Sequence, residues 1–351
     1  MKSHFRPAVD ALKGYIPGEQ PGTKDLVKLN TNEDPYPPSP RVAEALRDFS
    51  VENLRRYPDP AADALRDDIA ARWGVRRVNV ICGNGSMDIL TMIFRAFADP
   101  RRPVAMLDPC YSLYPVLAAM QEAPVIRMPL DPVTFELAKP LAELAKGANL
   151  VVLTRPNAPT GTSAAREEVE RFCADFDGIV AIDEAYADFA DDNCMEFAAK
   201  YDNVLVLRTF SKSYALAGLR LGYAVGDAGL IAGLMKLKDS YNVDMLTQVI
   251  GRAAFNDTAT LAAHTSAIKA TRARLTVELK KLGCTVIPSQ SNFLFASPPD
   301  GDAARVFAEL RRNSVIVRHF PGPVTGRFLR ITVGTDEETD RLLDVLRGNR
   351  C

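Results

Sequence analysis

Lys212 stands in the stretch TFSKSYALAGLR, Thr209 to Arg220, directly after an apolar run, Val204 to Leu207, that reads as a buried strand. A lysine just past a strand end lies at the carboxyl edge, where open α/β sheets bind their ligands. Its amine can form a Schiff base with a carbonyl. Thr209, Ser211 and Arg220 around it suit a phosphate, because guanidinium pairs bidentately with phosphate oxygens. In isolation the stretch favours a solvated lysine in a loop, so the decision rests on what the other strand ends carry.

Three other apolar runs end on groups that complement it. VNVIC (78–82) leads into Gly83-Asn84-Gly85-Ser86 and a helix, where backbone N–H groups and a hydroxyl can cradle a phosphate. That segment lacks the GK[ST] of a P-loop and the third glycine of a dinucleotide fingerprint. Alone it reads as a tight turn with Ser86 as N-cap. NLVVLT (149–154) leads into Arg155-Pro156-Asn157-Ala158-Pro159, a stiff loop whose Asn157 is either an orienting hydrogen-bond group or a turn residue. GIVAID (178–183) ends on Asp183, with Tyr186 three residues on. A carboxylate there is costly to bury without a cation or strong donor, and exposed it would simply start a helix. Together the four ends supply a phosphate cradle, an orienting amide, a carboxylate with a phenol, and a lysine. One cofactor, pyridoxal 5′-phosphate, uses all of them.

The elements that must position these groups follow the same pattern. Seven apolar runs between 78 and 225 alternate with helical segments such as Ser86 to Ala98 and Ala164 to Asp175. That alternation implies an α/β fold with a mostly parallel sheet between helices. The last two runs, NVLVLR and LGYAV, are too close for a crossover helix and point to at least one antiparallel strand. Beyond Gly226 long helical stretches, 228–255 and 258–282, precede short strand patterns in CTVIPS, SNFLFAS, VIVRHF and FLRITVG. We expect a large cofactor domain over 28–226 and a smaller α+β domain from 1–27 and 227–351.

Composition removes several alternatives. With 43 basic against 44 acidic residues the net charge is −1, which argues against nucleic acid or an anionic membrane as the main partner. No apolar run approaches the ~18 residues of a membrane span, and the first eighteen residues lack the apolar core of a signal peptide. Three scattered histidines, His4, His264 and His319, none in HExxH or a similar ligand spacing, argue against a zinc site, and the lack of a GxSxG elbow argues against Ser-His-Asp chemistry. Six cysteines without a CxxC pair, Cys351 among them, read as reduced thiols in a cytoplasmic protein.

Motifs spread nearly end to end then carry a resemblance: YIPG, LNTNEDPY, RYPDP, GNGS, DPCYSLYP, RPNAPTG, IDEAYADF, TFSKSYALAGLRLGY, SNFLF, VIVRHFPGP and FLRITVGT. The chain resembles the fold-type I, pyridoxal-phosphate-dependent aminotransferases, with the aspartate-aminotransferase-like fold, and within them the histidinol-phosphate aminotransferases of histidine biosynthesis. The resemblance implies Lys212 as the cofactor-linked lysine and proton carrier, with Asp183 on the ring nitrogen. It implies Asn157 and Tyr186 at the ring's phenolate oxygen and Tyr111 stacked on the ring. Gly85, Ser86, Thr209, Ser211 and Arg220 would hold the phosphate, joined by Tyr57 from the neighbouring subunit of a homodimer. Arg330, which alternates with Leu329 and Ile331, would bind the carboxylate of glutamate or 2-oxoglutarate. Arg318, Tyr15 and Asn157 would lie near histidinol phosphate. Met87 and Asp34 depart from the family's usual acidic residue and asparagine. An aromatic amino-acid aminotransferase or a phosphothreonine-type decarboxylase would share the scaffold. A silent binding protein of the same fold would not need Lys212.

Overall fold

A computed structural model describes residues 3–22 and 25–348, so Cys351 lies outside the described residues. In chain order the strands are β1 (Val27–Lys28), β2 (Val80–Asn84), β3 (Val104–Asp108), β4 (Val125–Pro129), β5 (Leu150–Thr154), β6 (Ile179–Asp183) and β7 (Val204–Thr209). They continue with β8 (Leu221–Gly226), β9 (Thr285–Ile287), β10 (Phe293–Ser297), β11 (Val315–Ile316), β12 (Arg318–His319) and β13 (Leu329–Thr332). Seven of them form one sheet in the order β2-β8-β7-β6-β5-β3-β4. All its neighbours run parallel except β8, which is antiparallel to both β2 and β7. The segment between β7 and β8 is too short for a crossover, so the chain must turn straight back. The return is fastened where Phe210 N donates to Leu221 O, and the turn it closes carries Lys212.

Burial on both faces explains why these strands read as continuous apolar runs. Along β7 the side chains part with period two: Val204 and Val206 join Phe172 and Ile250 in one core layer, while Leu205 and Leu207 join Ile93 and Leu117 in the other. Helices Asp63–Trp73 and Arg166–Asp175 cover the first face, and Ser86–Phe97 and Leu113–Met120 the second.

A four-stranded antiparallel sheet, β12-β13-β10-β9, packs Leu294, Leu329 and Ile331 against Leu275, Leu310 and Leu342. β1 pairs in parallel with β11, and Thr332 N donates to Leu29 O, so residues 29–33 are laid directly beside β13.

Two expectations need correction. The helical stretch 228–255 is two helices, Ala228–Met235 and Met245–Phe255. The polar run between them holds Tyr241 at φ 57, and Asp244 caps the second helix by accepting from Thr247 N at 2.9 Å. VIVRHF is not one strand either, because its two halves pair with different partners, β1 and β13. Since Leu207 is fully buried at the centre of the large sheet, Leu207→Ala should destabilise the protein by about 2–5 kcal/mol, read as a lower urea midpoint at unchanged slope.

Candidate active site

The carboxyl ends of β5, β6 and β7, the N-terminus of helix Ser86–Phe97, the 30–33 loop and β13 enclose a cavity of about 550 Å³, within the usual size for a cofactor and small substrate. Lys212 lies in it, and its Nζ donates to Thr31 O at 2.9 Å. Burial, and after it the Arg330 guanidinium, pulls the amine down to about 7, outweighing the opposing pull of Glu33. At neutral pH much of this lysine is therefore uncharged and nucleophilic.

Asp183 closes β6 and is buried at the cavity wall. Its Oδ2 accepts from Tyr114 OH at 2.7 Å and its Oδ1 from Ala185 N at 3.1 Å. Burial raises its carboxyl pKa, and these two donors only partly oppose it. A cation arriving at this carboxylate is thus stabilised both by charge and by relief of a desolvated group. Tyr114 was not singled out from sequence. Its only signal is an aromatic three residues after Tyr111 at the start of a helix, and its hydroxyl also bonds Thr154 Oγ1 at 2.9 Å.

At one pole Ser86, Thr209, Ser211 and Arg220 line the cavity. Arg220 Nη1 is 3.1 Å from Ser211 Oγ. Gly85 caps the helix at φ +79, and a Cβ there would meet Arg220 Nη2 at 2.5 Å. A Cβ on Gly222 would meet Ser86 N at 2.3 Å, so two glycines allow guanidinium, hydroxyls and helix N-terminus to converge. Hydroxyls, a guanidinium and helix N–H groups make a donor set for a phosphate.

The other pole is cationic too. Arg330 belongs to β13, which is an inner strand of its sheet and not an edge. Its Nη2 donates to Asn30 O at 2.9 Å, while its buried Nε has no partner among the described residues. Phe293 and Phe320 flank the guanidinium at 5.3 Å each. Arg318 and Tyr15 line the same end, and Tyr15 meets Tyr111 edge-on at 5.7 Å. Tyr111 reaches Met87 Sδ at 3.8 Å.

Tyr186 is buried and its hydroxyl accepts from Asn32 Nδ2 at 3.0 Å, so its own proton is free to point into the cavity. Asn32 is a further residue that sequence reading passed over. It sits at φ 56 and is bonded to Thr332 Oγ1 and Asn292 Nδ2, which fixes the phenol from the small sheet. Asn157 is not among the residues that line the cavity, although Ala158 and Pro159 are. Its Nδ2 donates to Pro109 O and Thr160 Oγ1, and the atom left without a partner is Oδ1, an acceptor. Donation to a phenolate oxygen would require the amide to turn over, and Pro109 O would then lose its donor. Tyr57 does not line the cavity; it is 78% exposed and stacks on Tyr241 at 4.5 Å. Asp34 is buried against His264 Nδ1 at 3.3 Å, and burial raises it to about 6.

Comparison with known proteins identifies the family. The chain is 45% identical over 350 residues to histidinol-phosphate aminotransferase 2 of Thiobacillus denitrificans, covering 98% of this chain and 97% of that one. The solved histidinol-phosphate aminotransferase of Sinorhizobium meliloti, in complex with pyridoxal-5′-phosphate, has a TM-score of 0.89 at 25% identity, with 99% of each chain covered. An aspartate aminotransferase tetra mutant of Thermus thermophilus shares the fold alone, with a TM-score of 0.82 at 22% identity and coverage of 99% and 98%. The family described as aminotransferase class I and II matches residues 24–346. The chain belongs to the class I and II aminotransferase family.

Proposed function

We propose that the protein transfers the amino group of histidinol phosphate to 2-oxoglutarate, giving imidazole-acetol phosphate and glutamate, with pyridoxal 5′-phosphate as its cofactor. The observation that carries this reading is the unprotonated-capable Lys212 amine between two guanidinium poles, with the buried Asp183 carboxylate in the same cavity. The residues present fit the cofactor: a phosphate donor set at Ser86, Thr209, Ser211 and Arg220, a carboxylate without a cation among the described residues at Asp183, and a phenol at Tyr186. The substrate follows from the names of near-full-length relatives at 40% identity and above, such as those of Thiobacillus denitrificans and Bordetella parapertussis.

When bound, pyridoxal 5′-phosphate supplies a carbonyl for substrate amines and a ring that takes up the electron pair left at the substrate's Cα. Asp183 would hold the ring nitrogen and keep it protonated, because an ionised carboxylate there has no other cation among the described residues. Lys212 Nζ takes the proton from Cα of the amino donor and returns one to the corresponding carbon of the keto acid in the second half-reaction. Arg330 orients that carbon by forking onto a carboxylate, which satisfies its orphaned Nε. Arg318 can serve the phosphate of histidinol phosphate, which has no carboxylate, in one half-reaction and the distal carboxylate of glutamate in the other. Tyr111 and Tyr15 wall the cavity and exclude water from the reacting face.

The proposal extends to a homodimer in which Tyr57 reaches the neighbouring phosphate site, to a large domain over 28–226 beside a small one from 1–27 and 227–351, and to a cytoplasmic enzyme. Exposed Val51, Leu54 and Tyr57 beside Tyr241 support the dimer, since such a patch on a surface invites a partner.

Two outcomes are expected. Added to the cofactor-loaded protein, histidinol phosphate should bleach the visible chromophore rapidly, whereas tyrosine and phenylalanine at equal concentration should act far more slowly. Equal rates for all three would support an aromatic aminotransferase instead, and carbon dioxide release a decarboxylase. In the cofactor-free protein, Lys212 is protonated below about 7 and free above it. Stopped-flow uptake of the cofactor should accelerate through that pH and then level off. An ordinary lysine, near about 10.4, would keep accelerating well beyond it. Lys212→Ala should lose this phase.

A further inference from the structure

A second group of charges lies outside the lining of the cavity. Arg208 is 5% exposed, and its Nε and Nη2 both meet Glu184 Oε2 at 2.9 Å. Its Nη1 donates to Asp188 Oδ1 at 2.7 Å, and Asp188 Oδ2 accepts from Ser213 Oγ. Glu184 Oε1 accepts from Cys194 N, and the Arg208 guanidinium lies 5.3 Å from the centre of the Trp73 ring. None of Arg208, Glu184, Asp188 and Ser213 lines the cavity.

A buried ion pair is weak evidence for stability, because desolvating both partners offsets their attraction. Placement explains this one better. Glu184 follows Asp183, Asp188 lies two residues after Tyr186, Arg208 precedes Thr209, and Ser213 follows Lys212. Each member therefore stands within two residues of a different residue of the cavity. The ladder between β6 and β7 ends at Asp183 and Leu207, with one further bond from Glu184 N to Leu207 O. Beyond it, the segment that carries Tyr186 turns away, while the one that carries Lys212 stays paired with β8 through Thr209, so no ladder bond joins the two. Asp188 joins them by accepting from both Arg208 and Ser213.

We propose that Arg208, Glu184 and Asp188 form a positioning clamp that fixes the Lys212 amine relative to the Asp183 carboxylate and the Tyr186 phenol. The proposal rests on the pyridoxal-phosphate reading of the cavity. The clamp touches neither cofactor nor substrate; it acts through the backbone of their neighbours. A desolvated guanidinium with two nitrogens on one Glu184 oxygen and the third on Asp188 holds such geometry more tightly than an exposed pair, whose side chains are free to reorient.

The test compares Arg208→Met and Asp188→Asn with the wild type, all loaded with pyridoxal 5′-phosphate. Three quantities are read: visible circular dichroism per bound cofactor, the single-turnover rate with glutamate and its KM, and thermal midpoint. Emission of Trp73, the only tryptophan in the chain, reports whether the packing around Arg208 survives. The clamp predicts weaker circular dichroism per bound cofactor and a rate lower by about ten- to a hundredfold, the scale of a roughly 1 Å misplacement, with KM little changed. Unchanged dichroism and rate beside a lowered thermal midpoint would overturn it, leaving the cluster a purely structural one. If Arg208→Met does not fold, Asp188→Asn decides alone, since the Asp188 side chain is 25% exposed and the amide keeps its shape. A wild type that takes up no cofactor overturns the cofactor reading and the clamp together. A normal wild type beside unaltered variants overturns the clamp alone.

Discussion

A lysine amine kept in a desolvated cavity beside a guanidinium is an unfavourable arrangement, and most of the site can be understood as what makes it tolerable. Burial and Arg330 push the Lys212 amine toward its neutral form, and the Thr31 carbonyl accepts its proton at 2.9 Å. That carbonyl is available only because β1 pairs with β11 and residues 29–33 are drawn alongside β13. The lysine itself is at the cavity only because β8 returns antiparallel against β7, which makes the connection between them a short turn at the carboxyl edge of the sheet. Sheet topology, the N-terminal segment and the small sheet therefore converge on one amine.

The remaining charges are arranged around it as opposites. Asp183 is a carboxylate buried with hydroxyl and N–H donors but no cation among the described residues, whereas Arg330 keeps a buried Nε unpartnered. Each is costly alone and each becomes favourable when a complementary group arrives. Binding energy can thus be used to orient ligands at both ends of the cavity. Tyr186 is the link between them, its hydroxyl held by Asn32 so that its proton stays available.

Much of this was legible in the chain. Strands buried on both faces give apolar runs whose ends can be read directly, and Lys212, Asp183 and Ser86 stand at those ends. Arg330 was legible as a residue to explain, because it alternates with Leu329 and Ile331, which join the core. Contacts made across long separations were not. Nothing local marks Asn32 as the partner of Tyr186, or Tyr114 as the donor to Asp183, since each pairing is created by the fold. The break between the helices ending at Met235 and beginning at Met245 was hidden by good helix formers on both sides of it. Which way the Asn157 amide faces depends on Pro109 and Thr160, and only the folded loop decides that.

The central claim is that Lys212 is the amine that carries the carbonyl chemistry. Reduction of the cofactor-loaded protein with borohydride, followed by peptide mass mapping, tests it most directly. The account predicts a single pyridoxyl-phosphate addition, on Lys212, in the segment between β7 and β8. Stoichiometric addition on any other lysine, with Lys212 unmodified, would contradict it.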